Sequence, residues 1–159
     1  MMRIGFGFDV HQLVENATFT LGGIIIPHHK GAIGHSDADT LIHAICDALL
    51  GAVNLGDIGM HFPDSDPTLK GINSKILLQK VIRLITQKGY HIVNIDTTVC
   101  LQQPKLRPYI QQMQETLANV MSIPMDNISI KATTTERLGF TGREEGVSAY
   151  AVALVGKEK

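Results

Sequence analysis

The sequence predicts an α+β protein: a single-domain two-layer sandwich with a mixed four-stranded sheet, helices on one face and an N-terminal hairpin. Strand-like and helix-like segments alternate along the chain, and Gly22 and Gly23 separate two short β-type runs near its start. No internal repeat divides the 159 residues, a length that suits one domain with a sizeable core. We therefore expect one domain over residues 1–159.

Four sheet strands are predicted from runs of β-branched and aromatic residues between turn signals. They cover residues 3–10, 91–101, 128–132 and 147–155. The run at 18–27 is expected to form the hairpin around Gly22 and Gly23. Residues 27–34 and 55–67, the second rich in Gly, Pro and Asp, are expected to be loops.

Three helices are predicted from apolar residues at near-helical spacing. They run through residues 41–50, 74–88 and 109–121. Ser36 is the expected N-cap of the first helix, with Asp39 three residues later completing an approximate capping box. Gly89 suits the turn after the second helix, because glycine adopts the left-handed conformation that ends many helices.

Composition restricts the classes of function. A net charge of −1, no Trp, five Phe and three Tyr give no sign of a nucleic-acid partner or a base-stacking surface. No apolar run approaches the length of a membrane span, so we expect no membrane partner. Cys46 and Cys100 lack metal or redox spacing and are expected to be reduced thiols. We expect a bacterial cytoplasmic protein, or one of a plastid-type stroma if a transit peptide was removed.

A metal site is predicted from residues on two different elements. Asp9 and His11 are two apart on the first strand, so their side chains point to the same face. His43 on the first helix would be the third ligand, with Asp39 or Asp47 orienting its second ring nitrogen. Three protein ligands leave an open position, which is typical of catalytic zinc. The alternative is a solvated polar helix face.

Two further segments suggest phosphate chemistry. His35 precedes a helix N-terminus, where backbone amides attract anions, although an ordinary loop histidine would look the same. Residues 133–136 place three threonine hydroxyls and the Glu136 carboxylate at a strand end, with Lys131 and Arg143 nearby. Such a carboxylate suits Mg²⁺ bound together with substrate phosphates. A threonine run of this kind is more often structural.

Asp57, Asp64 and Asp66 lie in the Gly- and Pro-rich segment 55–67. Asp residues are frequent in turns because their side chains bond nearby backbone amides. Carboxylates in such a loop also suit binding of sugar hydroxyls, so both interpretations stay open. The chain carries no nucleophile elbow, Walker loop, dinucleotide fingerprint or H-E-x-x-H motif.

Several separated motifs occur in a characteristic order. They are residues 7–11 (Gly-Phe-Asp-Val-His), 35–37 (His-Ser-Asp), 41–51 with His43, 56–59, 62–64, 104–105, 131–136 and 138–143. Together they identify the chain as similar to the 2-C-methyl-D-erythritol 2,4-cyclodiphosphate synthase family of the non-mevalonate isoprenoid pathway. The resemblance runs from Arg3 to about Val155.

The resemblance implies a homotrimer with an active site at each subunit interface. It implies that Asp9, His11 and His43 bind one Zn²⁺ per subunit, for which another divalent cation can substitute. Glu136 would help to bind Mg²⁺ or Mn²⁺ through the substrate diphosphate. His35 and Thr134 would act catalytically by stabilising the transition state.

It also implies two groups of substrate-binding residues. Those that contact the methylerythritol and ribose or lie beside the zinc are Asp9, Val10, His11, His35, Ser36, Asp57, Ile58, Gly59, Phe62, Pro63, Asp64, Ser65 and Asp66. Those that a neighbouring subunit supplies to cytidine and phosphates are Leu101, Gln102, Gln103, Pro104, Lys105, Leu106, Arg107, Thr133, Thr134, Thr135 and Glu136. Phe140 and Arg143 would complete the contacts.

The implied reaction is an intramolecular cyclisation. The 2-phosphate of 4-diphosphocytidyl-2-C-methyl-D-erythritol 2-phosphate attacks the β-phosphorus, and CMP leaves. A phosphate nucleophile is ionised near neutral pH, which agrees with the absence of a nucleophile motif. The protein then needs to fold the substrate back on itself and to neutralise phosphate charge, and bound metals suit that task.

The sequence departs from the family pattern at two positions, of which Phe6 is expected near the trimer axis. Phe6 stands where many relatives carry a histidine, and Ala38 stands where glycine is frequent. Arg143 and Glu145 are retained, so the resemblance leaves room for an isoprenoid phosphate in a central cavity.

Two other functions fit parts of the pattern. A zinc phosphohydrolase would use the same ligands to activate water, but no general base is evident beside Asp9, His11 and His43. A non-catalytic trimeric module that binds isoprenoid phosphates would not need the metal ligands, and all three are present.

Overall fold

The computed structural model describes residues 1–157, and five of its seven strands form one mixed sheet. The strands are β1 (Met2–Glu15), β2 (Thr20–Leu21), β3 (Ile24–Ile25), β4 (Lys30–Ile33), β5 (Tyr90–Cys100), β6 (Ile128–Thr133) and β7 (Gly146–Lys157). The sheet order is β4-β1-β7-β5-β6, and β2 pairs with β3 apart from it. Neighbours are antiparallel except the parallel β5 and β6.

The main helices pack on one face of this sheet. The helices are α1 (Thr40–Ala52), α2 (Ile58–His61), α3 (Ser74–Gln87), α4 (Ile110–Met121) and α5 (Gly139–Gly142), with 3₁₀ turns at Pro67–Leu69, Arg107–Tyr109 and Met125–Asn127. The predicted mixed sheet with helices on one face is confirmed. Within residues 1–157, every helix is too short or too polar to span a lipid bilayer.

The predicted strand count of four is wrong, because residues 30–33 form a fifth strand rather than a loop. This strand pairs with the end of β1, where Gln12 lies opposite Ile33 and Glu15 opposite Lys30. Four residues carry too little alternation to reveal a strand. The residues that pair with them, 12–15 of β1, are distant in the sequence, so no local pattern indicates the pairing. The same pairing extends β1 to Glu15, beyond the predicted end at residue 10.

The predicted hairpin is confirmed, with Thr20–Leu21 and Ile24–Ile25 joined by Gly22 and Gly23. Both glycines have positive φ, at 59° and 78°. A two-residue turn with positive φ at both positions matches the twist of the strands that it joins, and glycine adopts that conformation at little cost.

The predicted N-cap Ser36 is wrong, because Asp39 caps α1 by accepting a hydrogen bond from the Ile42 amide at 3.0 Å. The buried Asp39 carboxylate also accepts from the amides of Gly22 at 2.9 Å and Gly23 at 2.6 Å. Burial raises the pKa of this carboxyl, and the amide hydrogen bonds offset only part of the effect. The hairpin turn is therefore fastened to the start of α1 by one side chain.

Two segments predicted as loops or turns contain short helices. Asp57 caps α2 by accepting from the Met60 amide at 3.0 Å, and Asp66 begins the 3₁₀ turn by accepting from the Thr68 amide at 2.9 Å. Residues 139–142 form α5. The same Asp chemistry stabilises turns and short helix starts, so the sequence pattern does not distinguish them.

Glycines on β1 allow α1 to lie directly against the strand. A Cβ on Gly7 would overlap the carbonyl oxygen of Ala44 and lie 2.7 Å from the Ala48 amide nitrogen. A Cβ on Gly5 would lie 2.6 Å from the Ala52 amide nitrogen. Strand and helix backbones thus meet without intervening side chains.

The opposite face of the sheet exposes an apolar stripe on β1 and β7. Ile4 is 71% exposed, Phe6 64% and Tyr150 39%, and the Phe8 ring lies 5.1 Å from the Tyr150 ring. Contiguous apolar surface of this kind is typical of protein–protein interfaces.

We predict that Gly7→Ala lowers the free energy of unfolding by at least about 2 kcal/mol, because the new methyl group forces β1 and α1 apart. Urea unfolding followed by circular dichroism measures this change.

Gly51→Ala is the matched control, because a Cβ at this exposed α1 position meets nothing within 4 Å. Alanine there is expected to stabilise the protein by roughly 0.5–1 kcal/mol through helix propensity. Equal effects of the two substitutions would contradict the role assigned to the Gly7 contact.

Candidate active site

Asp9, His11 and His43 converge between the middle of β1 and the start of α1. Asp9 Oδ2 lies 2.9 Å from His11 Nε2 and 3.0 Å from His43 Nδ1, and the two nitrogens are 3.2 Å apart. Strand alternation directs Asp9 and His11 toward the helices, and His43 lies one turn into α1. The predicted cluster of three potential ligands is therefore present.

The charges in this cluster keep its carboxylate ionised. Burial would raise the pKa of the Asp9 carboxyl, but the hydrogen bonds and charges of His11 and His43 outweigh it and lower that pKa. Burial would lower the pKa of His11, but its contacts with Asp9 and with the Ile33 carbonyl raise it. Asp9 is thus an ionised acceptor at neutral pH.

The spacing of the ligand atoms also fits a divalent ion. Zinc bonds of about 2.0 Å in a tetrahedral arrangement separate neighbouring ligand atoms by roughly 3.3 Å. The three separations of 2.9, 3.0 and 3.2 Å are close to this value. Two nitrogens and one carboxylate oxygen suit Zn²⁺ and several other transition metals.

The outer ring nitrogens contact residues that the sequence did not suggest. His11 Nδ1 lies 3.0 Å from the Ile33 carbonyl oxygen on β4. His43 Nε2 lies 2.9 Å from Ser74 Oγ and 3.1 Å from Ser36 Oγ. The prediction that Asp39 or Asp47 orients His43 is wrong.

Both carboxylates are engaged with backbone amides instead. Asp39 binds the hairpin turn, and Asp47 accepts from the Ile58 amide at 2.8 Å. The i−4 and i+4 spacing placed them on the same helical face as His43, but each side chain turns toward an unpaired amide of another segment.

A cleft of about 320 Å³ opens beside the three ligands, and we call it the triad cleft. Its lining includes nine of the predicted site residues: Asp9, His11, His35, Ser36, His43, Ile58, Gly59, Phe62 and Asp64. Four residues outside the prediction also line it: Gly34, Leu69, Ile72 and Leu77. His35 Nε2 lies 3.3 Å from the Asp66 carbonyl oxygen, so the 62–66 segment closes over this histidine.

Other predicted residues of the same segment lie at the margin rather than in the lining. Asp57 and Asp66 cap short helices, and Pro63 and Ser65 are exposed.

A second cleft of about 300 Å³ lies against β6 and α4, and we call it the β6 cleft. Predicted residues in its lining are Leu101, Pro104, Lys105, Leu106, Arg107, Thr133 and Thr134. Ile110, Ile130 and Ala132 add an apolar wall that the sequence did not suggest. Gln102 Oε1 accepts from the Arg137 amide at 3.3 Å, while Gln103 is exposed beside the cleft.

The two clefts are separate within one chain. Val10 pairs with Ser148, Ser148 with Cys100, and Cys100 with Thr133. Val10 and Thr133 are thus three strands apart, or about 14 Å at 4.8 Å per strand. Both clefts lie at the same end of the sheet but open at different places.

Residues 134–137 form a tight turn next to the β6 cleft. Glu136 and Arg137 have positive φ, at 52° and 63°, an uncommon conformation for non-glycine residues. The backbone amide of the exposed Glu136 donates to Thr134 Oγ1 at 3.3 Å. The Glu136 side chain is exposed to solvent in the single chain, whereas the Thr135 hydroxyl donates to the Leu138 carbonyl oxygen at 2.7 Å.

Val10, Phe140 and Arg143 lie away from both clefts. Val10 and Phe140 line a shallow groove of about 420 Å³ on another side of His11. Arg143 donates to Glu145 through two nitrogens, at 2.9 and 3.2 Å.

The fold and the site together define a mixed α/β protein with a candidate divalent-metal centre in a cleft. The chain belongs to the YgbB family, whose model matches residues 2–156. The resemblance identified from the sequence motifs is confirmed.

Named relatives are similar over nearly the whole chain. The 2-C-methyl-D-erythritol 2,4-cyclodiphosphate synthase of Bacteroides fragilis is 62% identical over 156 residues, which is 98% of each chain. A solved CDP-bound form of a 2C-methyl-D-erythritol-2,4-cyclodiphosphate synthase has a TM-score of 0.90 at 38% identity, with 97% of this chain and 100% of that chain covered.

A larger solved protein contains a similar domain. The bifunctional IspDF of Campylobacter jejuni has a TM-score of 0.96 at 40% identity and matches 100% of this chain. This chain covers 43% of that protein.

We predict that His43→Ala removes stoichiometric metal binding, because two remaining ligands cannot hold an ion tightly. Elemental analysis of the purified protein after incubation with zinc measures the bound metal. His91→Ala is the control, since His91 is exposed on β5 at the far end of the sheet. Full zinc content in His43→Ala would contradict the ligand assignment.

Proposed function

We propose that this chain converts 4-diphosphocytidyl-2-C-methyl-D-erythritol 2-phosphate to 2-C-methyl-D-erythritol 2,4-cyclodiphosphate and CMP. The observation that carries the proposal is the cluster of Asp9, His11 and His43 in the wall of the triad cleft. The 62% identity to the 2-C-methyl-D-erythritol 2,4-cyclodiphosphate synthase of Bacteroides fragilis supports the proposal.

The reaction forms one phosphorus–oxygen bond and breaks another. An oxygen of the 2-phosphate attacks the β-phosphorus, and the bond from that phosphorus to the α-phosphate oxygen breaks to release CMP. The nucleophile carries its own negative charge, so the protein supplies position and charge neutralisation rather than a nucleophilic side chain.

Asp9, His11 and His43 would hold Zn²⁺ next to the diphosphate, and Glu136 would hold Mg²⁺ or Mn²⁺ together with the phosphate oxygens. When bound, the metals supply Lewis acidity and neutralise charge on the phosphates. The nitrogen-rich donor set supports zinc at the first site, whereas the lone carboxylate of Glu136 suits a hard cation.

The triad cleft suits the methylerythritol diphosphate part of the substrate. Ser36 and Asp64 offer polar groups for hydroxyls, and Phe62 and Leu77 offer an apolar wall. His35 lies in this cleft within reach of a phosphate, where its ring can donate a hydrogen bond to an oxygen that gains charge in the transition state.

The β6 cleft suits the cytidine monophosphate part. Leu106 and Ile130 provide an apolar surface for the base, and Lys105 and Arg107 provide cations at the rim. Thr134 lies at the end of β6, where its hydroxyl can donate to the phosphates. The related structure with bound CDP supports a nucleotide site of this kind.

One complete active site then takes the two clefts from different subunits of a homotrimer. Two arguments support this assembly. Val10, which lies between the ligands Asp9 and His11 on β1, is about 14 Å across the sheet from Thr133 of the β6 cleft, and the exposed stripe with Ile4, Phe6 and Phe8 is an apolar surface suited to a partner subunit.

An isoprenoid phosphate at the trimer axis remains a separate part of the proposal. Phe6 adds apolar surface there, and Arg143 is the candidate cation. Since Arg143 is already paired with Glu145, a phosphate would have to compete with that carboxylate.

We predict that the protein releases CMP and the cyclic diphosphate in equal amounts from the diphosphocytidyl substrate when zinc and magnesium are present. Phosphorus NMR of the reaction mixture identifies both products. Release of inorganic phosphate or of a linear diphosphate would instead indicate a phosphohydrolase that activates water.

We further predict that two inactive variants restore activity when they form mixed trimers. His43→Ala damages the triad cleft and Thr134→Ala the β6 cleft, the second by roughly 10²–10³-fold in kcat. In a cyclic trimer that contains both variants, one of the three sites receives both intact halves, so about a third of the wild-type activity should return.

The control mixes His43→Ala with Asp9→Ala, because every site in those trimers lacks an intact triad. Coexpressed, differently tagged chains purified through both tags provide the mixed trimers for steady-state assays. Equal activity of the test and control mixtures would show that one subunit supplies both clefts.

A further inference from the structure

We propose that Ser74 and Asp37 are positioning residues that select the tautomer of His43 and so prepare its Nδ1 to bind the metal. The inference rests on the proposed function only for the presence of that metal. Neither residue belongs to the ligand set or to the predicted substrate contacts, and both lie on the side of the ring away from Asp9 and His11.

Hydrogen bonds connect the His43 ring to Ser74 and Ser74 to the Asp37 carboxylate. His43 Nε2 lies 2.9 Å from Ser74 Oγ. Ser74 Oγ in turn makes a short hydrogen bond with Asp37 Oδ1, and the Ser74 amide donates to Asp37 Oδ2 at 2.9 Å. Ser74 is fully buried and begins α3, and His43 is 6% exposed, so water has little access to the hydrogen bond between these two side chains.

The direction of each hydrogen bond follows from what the groups can donate. An ionised carboxylate only accepts, so the Ser74 hydroxyl donates its single proton to Asp37. Ser74 Oγ can then only accept from the imidazole, which requires the proton of His43 to be on Nε2. The lone pair of His43 is therefore on Nδ1, 3.0 Å from Asp9 Oδ2, where a divalent ion between the two atoms would accept a lone pair from each and replace their direct hydrogen bond.

Within residues 1–157, the Asp37 carboxylate faces donors only. It accepts from the Asp39 amide at 3.3 Å as well as from both donors of Ser74. It also lies at the N-terminus of the 14-residue helix α3, where the helix dipole favours negative charge.

Ser36 does not replace this arrangement. Its Oγ is 3.1 Å from His43 Nε2 and accepts from the Ala38 amide at 3.2 Å, but it lines the open triad cleft. Its hydroxyl proton is free to rotate, so Ser36 Oγ can accept from a protonated Nε2 or donate to an unprotonated one, and it selects neither tautomer. The buried Ser74, whose proton is committed to Asp37, imposes the direction.

The tautomer of His11 is constrained in the same way, but by a single backbone carbonyl. Its Nδ1 lies 3.0 Å from the Ile33 carbonyl, an acceptor that requires an N–H on the ring. Both imidazoles thus direct a lone pair at the centre of the cluster. Partners of metal-bound histidines typically change metal affinity by roughly 10–100-fold when they are removed.

The test compares zinc affinity and tautomer in the full-length protein. In Ser74→Ala, we expect zinc affinity, measured by competition with a chromogenic chelator, to fall by roughly 10–100-fold. In the zinc-free variant, ¹⁵N NMR of the imidazoles should show that His43 loses its exclusive Nε2–H form. Ser74→Thr keeps the hydroxyl and should retain most of the affinity.

Asp37→Asn gives a sharper second variant. The amide can donate to Ser74 Oγ, so the serine proton is free to turn toward His43 Nε2 and to favour the wrong tautomer. We expect weaker zinc binding in this variant with little change in the size of any side chain.

Asn73→Ala is the matched control, because Asn73 caps the same helix by accepting from the Lys75 amide at 2.9 Å without touching His43. It should lower the urea midpoint while leaving zinc affinity and the tautomer unchanged. Wild-type zinc affinity and an unchanged His43 tautomer in folded Ser74→Ala would overturn the inference. If the wild-type protein bound no zinc, the metal part of the proposed function would fail, and the NMR result would still decide the tautomer.

Discussion

The close contact between β1 and α1 is the constraint on which the site depends. Gly5 and Gly7 leave no side chain between strand and helix, so the backbone of α1 lies against β1. Two residues further along the strand, Asp9 meets His43 on the helix at 3.0 Å. A larger separation of these two backbones would move the ligand atoms out of reach of one ion, because their bonds to zinc are only about 2.0 Å long.

Carboxylates and hydroxyls around the start of α1 keep this contact in register. Asp39 joins the helix to the hairpin turn through the amides of Gly22 and Gly23. Asp37 and Ser74 join the same region to α3 and reach the His43 ring. Buried polar groups are costly unless they are hydrogen-bonded, so these bonds make one arrangement of the three segments more stable than its alternatives.

The parts of the site that could be predicted are those with a local signal. Alternation on a strand placed Asp9 and His11 on one face, and helical spacing identified the element that carries His43. The strand β4, which supplies the Ile33 carbonyl to His11, has only four residues and was expected to be a loop. Ser74 was also missed, because it is 31 residues from His43 and its position at a helix start has an ordinary structural explanation.

The sequence by itself determined the mixed α/β class, the hairpin, the main helices and the identity of the candidate ligands, because each has a short-range pattern or belongs to a family motif. Only the tertiary structure decided the fifth strand, the cap of α1 and the partners of the His43 ring. These features depend on which unpaired backbone amide or ring nitrogen lies nearest in space. Amides at many positions offer the same chemistry, so Asp39 and Asp47 could be assigned to their partners only after the segments had packed.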